Sequence, residues 1–562
     1  MSSIMQVDLP EDTFRPYISP KRPDDSFNMK PLEARALFRT NDYTGFTSGF
    51  CDGYTQFNII IISSEFADDF ETFCSQNSGA FPVLYRSKPG EVGAPPIAED
   101  SNVRTDLPCY TIRKNGIRVA EAPDLSRFTP VWDYLVTFYI GCSTTFDFAL
   151  IKNGVDVPNV LDIPGYKTNV CCSSVGPFQG VKMTVSMRTI AKHQLEKAFM
   201  ISNQYPDYHG APIHIGDPTR IGISGVTVPD GYVATFWACG MTVEDVILIA
   251  KPELAFSHYP GAMFIGDIKR EPTSLGDAVK IIKLNKAGCE YFASVINQNS
   301  IAVFEGIQRA LGIKPVNVQV NSSPLLEVTL KLSHANKVVL AYIPKHSCQH
   351  IDVLGIMVFC QALLILRKGV TLVVKKADKN LFDIAIQHMV ETFHVDTPTI
   401  VTVSQNVTIE DNIPVFDCLL MTSQNCYDAV KGILDIAQKN SHTSVITLNN
   451  YHCKATEIEP DIIVTENLVN SAYALAGGLY VASTSPYHWR YKNYSINSHQ
   501  QPQFSVDDFI PTNDQSQSLW KMILPKGSSG SEELPNLCPV SELRSLLNCS
   551  LLNCSLSMYA DL

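Results

Sequence analysis

The chain has 562 residues, of which 45% are hydrophobic and 18% are charged, and its formal net charge is −12. Such a length exceeds what one hydrophobic core usually serves, so the sequence predicts a globular protein with more than one domain. The negative charge and the absence of a lysine- or arginine-rich run argue against nucleic acid and anionic membranes as partners.

Cysteine usage and the first residues bear on the compartment. The 16 cysteines are scattered without a CxxC pair, so neither a zinc ribbon nor a dithiol redox site is expected. The stretch MSSIMQVDLPEDTFRP lacks the apolar core of a signal peptide and the arginine-rich composition of a transit peptide. Free thiols in a reducing compartment are therefore the default. The most apolar run, residues 353–366, is too short to span a bilayer and predicts a buried helix.

The first ordered region combines glycines with polar side chains. Residues 1–28 are polar and contain prolines, which predicts an extended arm ahead of a helix at 31–39. The stretch TGFTSGFCDGYTQFNIIII, residues 44–62, is typical of a loop that leads into a buried strand. Buried polar groups need partners, which either the protein or a ligand supplies. Asp52 is a candidate for proton transfer, and three neighbours are candidates for substrate binding: Ser48, Gln56 and Asn58. Cys51 is interpreted as a buried thiol, with a nucleophile as the alternative.

A hairpin and a helix follow, each beside an arginine. The Asn115-Gly116 pair favours a tight turn between two strands in VRTDLPCYTIRKNGIRV, residues 103–119. Arg104 could bind a substrate carboxylate through its planar fork, or form a surface ion pair with Asp106. In IGCSTTFDFALIKNG, residues 140–154, Ser143 is a plausible N-cap of a helix.

A strand at 182–187 then places Arg188 at its end as a second carboxylate-binding candidate. The densest polar motif is HGAPIHIGDP, residues 209–218. Read as an extended segment, it puts His214 and Asp217 at a strand end, because proline cannot continue the ladder. His214, Asp217 and His209 are therefore candidates for acid–base catalysis, and His258 is a further one.

These side chains have two alternative interpretations. The structural interpretation is a buried, hydrogen-bonded histidine beside an Asp-Pro turn. The other is a metal site, but no HxH or HExxH spacing occurs, so neither a metal nor another cofactor is predicted. Several short strands end in glycine plus a reactive side chain, and convergence of strand ends is how α/β folds build sites.

The second half has a regular alternation of elements. A change of composition at residues 269–277 predicts a linker, and the chain becomes polar from about residue 497. Strands are expected at 338–343, 370–375, 399–404, 418–422, 445–449 and 462–466. Helices are expected between them at 352–367, 381–393 and 428–438, and after the last strand at 468–482. This alternation is typical of a mostly parallel sheet covered by helices.

Eight motifs, in order over residues 43–269, resemble the hydro-lyase family whose animal members are the D-glutamate cyclases. They are TSGFCDGYTQFN, NVRTDLPCYTI, FYIGCSTTFDFAL, YKTNVCC, VSMRTI, HGAPIHIGDP, FWACGMT and SHYPGAMFIGDI. The second half resembles the C-terminal domain of the same cyclases but departs from it in its loops. The family's acidic, Gly/Pro-rich loop is replaced by HSCQHIDVLG, and a later Gly/Asp-rich stretch has no counterpart between residues 449 and 459.

The expected fold is α/β: a mixed, multi-subdomain hydro-lyase-like domain at 29–269, a linker at 270–288, a second α/β domain at 289–496 and a polar tail at 497–562. The resemblance implies conversion of D-glutamate to 5-oxo-D-proline and water, with a small carboxylic or amino acid as substrate. It also implies the mitochondrial matrix, with the cytoplasm as the alternative. A hydro-lyase acting on another small acid and a non-catalytic scaffold remain alternatives, and a homodimer is compatible with each.

Overall fold

A computed structural model describes the chain in stretches: residues 21–160, 163–273, 278–285, 289–313, 323–344, 348–403, 413–422, 427–439, 443–448, 461–463, 467–492, 504–524, 533–534 and 540–548. The chain divides into two compact units. Unit 1 comprises Met1–Ile281, Glu290–Phe292 and Arg490–Gln501. Unit 2 comprises Ile282–Cys289, Ala293–Trp489 and Pro502–Leu562. The first change of unit falls inside the linker predicted at 270–288, but each unit also takes later segments that the prediction assigned elsewhere.

Unit 1 contains five α-helices and eleven strands in its described residues up to 273. The helices are α1 Pro31–Arg39, α2 Ser64–Gln76, α3 Thr144–Lys152, α4 Leu195–Asn203 and α5 Val243–Ala250. The strands are β1 Tyr54–Ser63, β2 Val83–Arg86, β3 Tyr110–Lys114, β4 Ile117–Ala122, β5 Leu135–Gly141, β6 Gly165–Cys171, β7 Lys182–Ala191, β8 His214–Ile215, β9 Tyr232–Ala238, β10 Leu254–His258 and β11 Phe264–Lys269. A further strand, β12, spans Val279–Lys283.

The strands of unit 1 form two antiparallel sheets. One has the order β2-β5-β1-β10-β3-β4, with β11 also paired to β1, and the other has the order β6-β7-β9-β8. The expectation that strand ends converge as in a parallel α/β fold is therefore wrong for this unit. Neighbouring strands run in opposite directions, so their carboxyl ends alternate between the two edges of each sheet.

Strand β1 is buried on both of its faces. Ile60 and Ile62 pack into one hydrophobic cluster, and Phe57, Ile59 and Ile61 pack into another. A strand covered on both sides needs no alternation of polar residues, which explains the unbroken isoleucine run. Full burial of each isoleucine contributes roughly 1.5–3 kcal/mol, so this strand is a principal source of stability in unit 1.

Local signals in unit 1 are confirmed where they are strong. Helix α1 has the predicted bounds, and the hairpin turns at Asn115 and Gly116, whose φ angles are 49° and 83°. Arg188 is a correction: it lies within β7 opposite Thr235, not at a strand end. Strand β7 runs on to Ala191 because it pairs with β9 along its second half.

Unit 2 contains the predicted parallel sheet. Its strands are β13 Ala293–Asn297, β14 Lys337–Tyr342, β15 Gly369–Lys375, β16 Thr399–Val403, β17 Cys418–Thr422, β18 Ser444–Leu448 and β19 Asp461–Ile463. The order β16-β15-β14-β17-β18-β19 is parallel throughout. The helices from this part of the chain onward are α6 Gln298–Ala310, α7 Pro324–His334, α8 His350–Ile365, α9 Lys379–Phe393, α10 Tyr427–Gln438, α11 Leu468–Thr484, α12 Pro486–Lys492, α13 Val506–Phe509 and α14 Asn513–Ile523. The mixed α/β fold class is confirmed.

Helix α8 is buried around its circumference, as its apolar sequence predicts. It packs closely on α11, since a Cβ at Gly355 would lie 3.2 Å from the Val469 Cα atom. The one amide in this apolar run has a partner: Gln361 Nε2 donates to the Asp508 carbonyl over 2.6 Å. Among the described residues, no helix has the length and hydropathy needed to cross a membrane.

The predicted polar tail is corrected for residues 504–524. They form α13 and α14, which pack on α8, α9 and α11. Both helices begin with capping boxes, at Ser505 and Thr512, which satisfy the first amides. Phe509 and Trp520 are buried. The composition of this segment is polar on average, so it gave no sign of the two short helices that a few buried apolar side chains hold in place.

Some expectations fall outside the described residues. They concern residues 1–20 of the N-terminal arm, the loops at 423–426 and 449–460, and the repeat beyond residue 548. The end of the predicted arm is described and is held in place. The carbonyls of Ser26 and Phe27 accept hydrogen bonds from the amides of Cys51 and Asp52 over 2.9 and 2.8 Å.

Candidate functional site

The first turn of α3 is a meeting point of several buried polar groups in unit 1. Helix α3 begins directly after β5, and Ser143 occupies the predicted N-cap position. The Ser143 side chain does not cap a helix amide; its Oγ accepts a hydrogen bond from Arg188 Nη2 over 3.0 Å. The positive end of the helix dipole lies at this turn, which favours negative charge nearby.

Arg188 is fully buried and tied to one carboxylate. Its Nε and Nη2 atoms donate to the two carboxylate oxygens of Asp147 over 2.7 and 2.8 Å. Nη1 donates to Ser186 Oγ over 2.7 Å, and the guanidinium lies 4.7 Å from the centre of the Phe146 ring. The fork expected to bind a substrate carboxylate therefore already binds Asp147. Arg188 fixes β7 against the first turn of α3.

His209 has one ring nitrogen bound to the backbone and a second, buried one whose surroundings bear on its role. Its Nδ1 lies 2.9 Å from the Gly79 carbonyl, and because a carbonyl only accepts, Nδ1 holds the proton. Burial, together with the positive charge of Arg188, lowers the pKa of His209 to about 4. Its buried Nε2 has no hydrogen-bond partner within the described residues. The ring is therefore neutral at pH 7, with an available lone pair on Nε2.

Two glycines allow the segments around this turn to approach. A Cβ on Gly141 would lie 1.8 Å from the Asp207 carbonyl oxygen, so only glycine lets the 206–208 turn rest on the end of β5. The Gly141 carbonyl accepts from Asn58 Nδ2 over 2.9 Å. A Cβ on Gly240, just after β9, would lie 2.5 Å from the same Asn58 nitrogen. Asn58 thus sits between the ends of β5 and β9.

Three cysteines near these segments are protonated at neutral pH. Burial raises the pKa of Cys142, after β5, and raises the pKa of Cys239, after β9, to about 11. Burial also raises the pKa of Cys51 to about 12. A nucleophilic cysteine needs a lowered pKa, so none of these three thiols has the pKa of a nucleophile.

Asp52 reaches α3 through a second arginine. Arg270 Nη2 forms an ion pair with the Asp52 carboxylate, and Arg270 Nη1 donates to the Thr145 carbonyl over 3.3 Å. The guanidinium lies 4.2 Å from the centre of the Phe148 ring. Two arginines, Arg188 and Arg270, therefore contact the same helical turn.

The structure ties His214 and Asp217 into their own turn. His214 Nε2 lies 2.7 Å from the Asp217 carbonyl oxygen, and its ring packs between those of Phe236 and Phe292. Burial lowers the pKa of His214 to about 4. Asp217 Oδ1 accepts from the amide and the hydroxyl of Thr219 over 3.0 and 2.6 Å. These contacts are those that the structural interpretation expects, and the acid–base role of both residues stays a prediction.

His258 and Arg104 are held by groups outside the α3 turn. His258 Nδ1 lies 3.1 Å from the Ile59 amide nitrogen, and burial lowers the pKa of His258 to about 4. Arg104 donates to Asn102 and Thr129. The proposed surface pair of Arg104 with Asp106 is wrong. Asp106 is buried and binds Arg39 over 2.6 Å.

Ser48 and Gln56 stabilise the loop before β1. The Ser48 carbonyl accepts from Arg22 over 2.8 Å. The Gln56 amide makes two hydrogen bonds of 2.9 Å with Thr47, one to its hydroxyl and one to its carbonyl. Across the described part of the chain, no three His, Cys, Asp or Glu side chains group as a metal site would.

Comparison with known proteins adds a family. The model of the D-glutamate cyclase family matches residues 136–267. A Bacillus pumilus protein named "Putative hydro-lyase" is 41% identical over 251 residues, which are 42% of this chain and 94% of that protein. "Putative hydro-lyase YcsI" of Bacillus subtilis is 39% identical over 256 residues, 43% of this chain and 98% of its own length. The chain belongs to this hydro-lyase family. A Stutzerimonas stutzeri member is 38% identical over 257 residues, covering 43% of this chain and 96% of that protein.

The family match encloses the α3 turn. Asp147, Arg188 and His209 lie within residues 136–267, and Arg270 lies just after them. Sequence reasoning missed Asp147 and Arg270. Asp147 carried a weak signal, since it follows the N-cap by one helical turn. Arg270 stood in a segment whose composition indicated a linker, so nothing in the sequence pointed to it.

Proposed function

We propose that this hydro-lyase family member converts D-glutamate to 5-oxo-D-proline and water at the first turn of α3. Membership of the family with the D-glutamate cyclase domain supports the reaction class. The grouping of Ser143, Arg188 and His209 within the matched segment supports the location.

The reaction defines what the site must supply. The α-amine nitrogen bonds to the γ-carboxyl carbon, and one γ oxygen leaves as water. The α-ammonium loses two protons while the leaving oxygen gains two. A group that accepts a proton from nitrogen and returns it to oxygen therefore serves both halves of the reaction.

The observation that carries the proposal is the state of His209. Its Nδ1–H is fixed on the Gly79 carbonyl, its ring is neutral, and its Nε2 is unpaired in the described structure. Leaving a buried nitrogen without a partner costs about 1–3 kcal/mol, which a substrate proton on that nitrogen would recover. In this proposal Nε2 takes the two protons from the amine one after the other and delivers each to the leaving oxygen, so that the oxygen departs as water.

The α3 turn suits the negative charge that develops on the γ-carboxyl oxygen. Ser143 Oγ accepts from Arg188, so its own hydrogen can donate to a substrate oxygen. The positively charged donor polarises the hydroxyl and strengthens that donation. The positive end of the helix dipole acts in the same direction. Because Asp147 balances Arg188, this arrangement is rigid before substrate arrives.

The test is direct. The purified protein is incubated with D-glutamate, and 5-oxoproline is separated by chiral chromatography, with L-glutamate and a protein-free sample as controls. We expect 5-oxo-D-proline to form above the uncatalysed rate, and the variant His209→Gln to lose that excess. Dehydration of another small acid without turnover of D-glutamate would replace this proposal with the alternative of a hydro-lyase that acts on that acid. Binding without any turnover would favour a scaffold.

A further inference from the structure

The two arginines at the first turn of α3 differ in the carboxylates that hold them. Arg188 is paired with Asp147, whose side chain is 6% exposed. Arg270 is itself only 8% exposed, but its partner Asp52 is 44% exposed. Both arginines contact the same turn, Arg188 through Ser143 Oγ and Arg270 through the Thr145 carbonyl.

This difference decides which pair can exchange its carboxylate. If Asp147 left Arg188, two buried charges would each lose their partner, which is strongly unfavourable. If Asp52 turned away from Arg270, water would solvate its 44% exposed carboxylate, so the cost of the separation would fall on the arginine alone. The arginine would then need a new anion, because most of its guanidinium is out of water. Only the Asp52–Arg270 pair meets both conditions.

We propose that Asp52 is an exchangeable counter-ion and that Arg270 is the residue that anchors the α-carboxylate of the substrate. The incoming carboxylate replaces Asp52 on Arg270, so the number of ion pairs at the buried guanidinium is unchanged. No bond is made or broken in this step. The choice of ligand rests on the proposed function, since D-glutamate has a second carboxylate to place near Ser143 and His209.

The surroundings of Arg270 support an anchoring role. Its guanidinium lies on the ring of Phe148, which fixes the plane of the fork and leaves its edge to a carboxylate. The 206–208 turn, which leads into His209, contacts α3, and Arg270 bonds to the first turn of the same helix. The anchor and the proposed base therefore border one helix.

Binding measured by calorimetry tests the exchange separately from turnover. The probes are D-glutamate and glutarate, a five-carbon dicarboxylate without an amine. We expect Arg270→Lys to bind both about tenfold or more weakly, because lysine loses the paired hydrogen bonds. We expect Asp52→Asn to bind glutarate up to about fivefold more tightly, because a competing carboxylate is gone. Asp68→Asn is the matched control, since it removes a 92% exposed partner of Arg86, and its affinities should equal those of the wild type.

The outcomes separate this inference from the proposed function. Unchanged affinity in Arg270→Lys, weaker glutarate binding in Asp52→Asn, or no binding of either probe to the wild type would each overturn the inference. Turnover by the wild type in those cases would still support the proposed function. Binding that follows the expected pattern without formation of 5-oxoproline would keep the anchor and reject the cyclase reaction. Melting temperatures of each variant show whether it is folded, and Asp52→Asn tests the exchange even if Arg270→Lys unfolds.

Discussion

Arg188 and Asp147 meet through two parallel hydrogen bonds of 2.7 and 2.8 Å in a buried position. Removing one partner of a buried pair leaves a charge without compensation. We therefore expect Asp147→Asn to lower the free energy of unfolding of unit 1 by about 3–5 kcal/mol. Hydrogen exchange in β7 and β9 measures the loss. Arg104→Lys, which changes an arginine outside this pair, is the control and should leave exchange unaltered.

His209→Gln tests the proposed base. Glutamine can donate to the Gly79 carbonyl as Nδ1 does, but it has no basic nitrogen at the position of Nε2. Turnover should fall by about 10²–10⁴-fold. His258→Gln is the matched control, because His258 is equally buried and its Nδ1 is engaged with Ile59. His258→Gln should lower the stability while each folded molecule keeps its turnover. If His258→Gln lost turnover and His209→Gln kept it, the base would be His258.

Three buried histidines of unit 1 make its stability depend on pH. Burial lowers the pKa values of His209, His214 and His258 to about 4, against an ordinary value of 6.5. Between these values the unfolded chain binds protons that the folded chain does not, so stability falls as the pH drops from 6.5 towards 4. The loss is roughly 3 kcal/mol for each histidine. Denaturant unfolding at a series of pH values measures the slope of the free energy of unfolding against pH. His258→Gln should reduce that slope by the contribution of about one proton. A free energy that does not change with pH would contradict the neutral state of these rings.

Gly141→Ala should disturb catalysis through the backbone. The added Cβ would lie 1.8 Å from the Asp207 carbonyl oxygen, so the 206–208 turn must move and carry His209 with it. We expect a loss of stability of about 1–3 kcal/mol and a fall in turnover of the folded protein. Gly165→Ala is the control, because the nearest atom to its Cβ would be 3.9 Å away. Equal turnover in both variants would show that the position of this turn does not matter.

Asp217→Asn separates a capping role from proton transfer. Asparagine ranks with aspartate at such positions, and its carbonyl oxygen can still accept from the amide and hydroxyl of Thr219. We expect both the melting temperature and the turnover to stay near those of the wild type. A fall in turnover of about 10²-fold at unchanged stability would instead make Asp217 an acid–base group.

Local sequence signals predicted local structure well. Pro31 at the first position of α1, the Asn115-Gly116 turn and the alternating strands and helices of unit 2 each act over a few residues. The pairs of residues that build the site are, by contrast, far apart in the sequence. Arg188 meets Asp147 across 41 positions of the chain, and His209 meets Gly79 across 130. Asp147 occupies the fork of Arg188, and Gly79 fixes the proton of His209 on Nδ1. Partners this far away in the sequence determine the roles of the arginine and the histidine, and no local pattern indicates such a pairing.

The segment Glu290–Phe292 belongs to unit 1, although it follows the family match. The Asp217 amide donates to the Tyr291 carbonyl over 2.6 Å, and Phe292 packs on His214 and on Arg220. A fragment ending at Lys269 would lack this support, so a fragment that keeps the packing of the 214–220 turn has to extend at least to Phe292. On the ribosome, Phe292 is added roughly 70 residues after Arg220, a delay of about 4–14 s at ordinary rates of synthesis. During that interval the 214–220 turn lacks its packing partner, so the native form of this turn is completed only after Phe292 has been added.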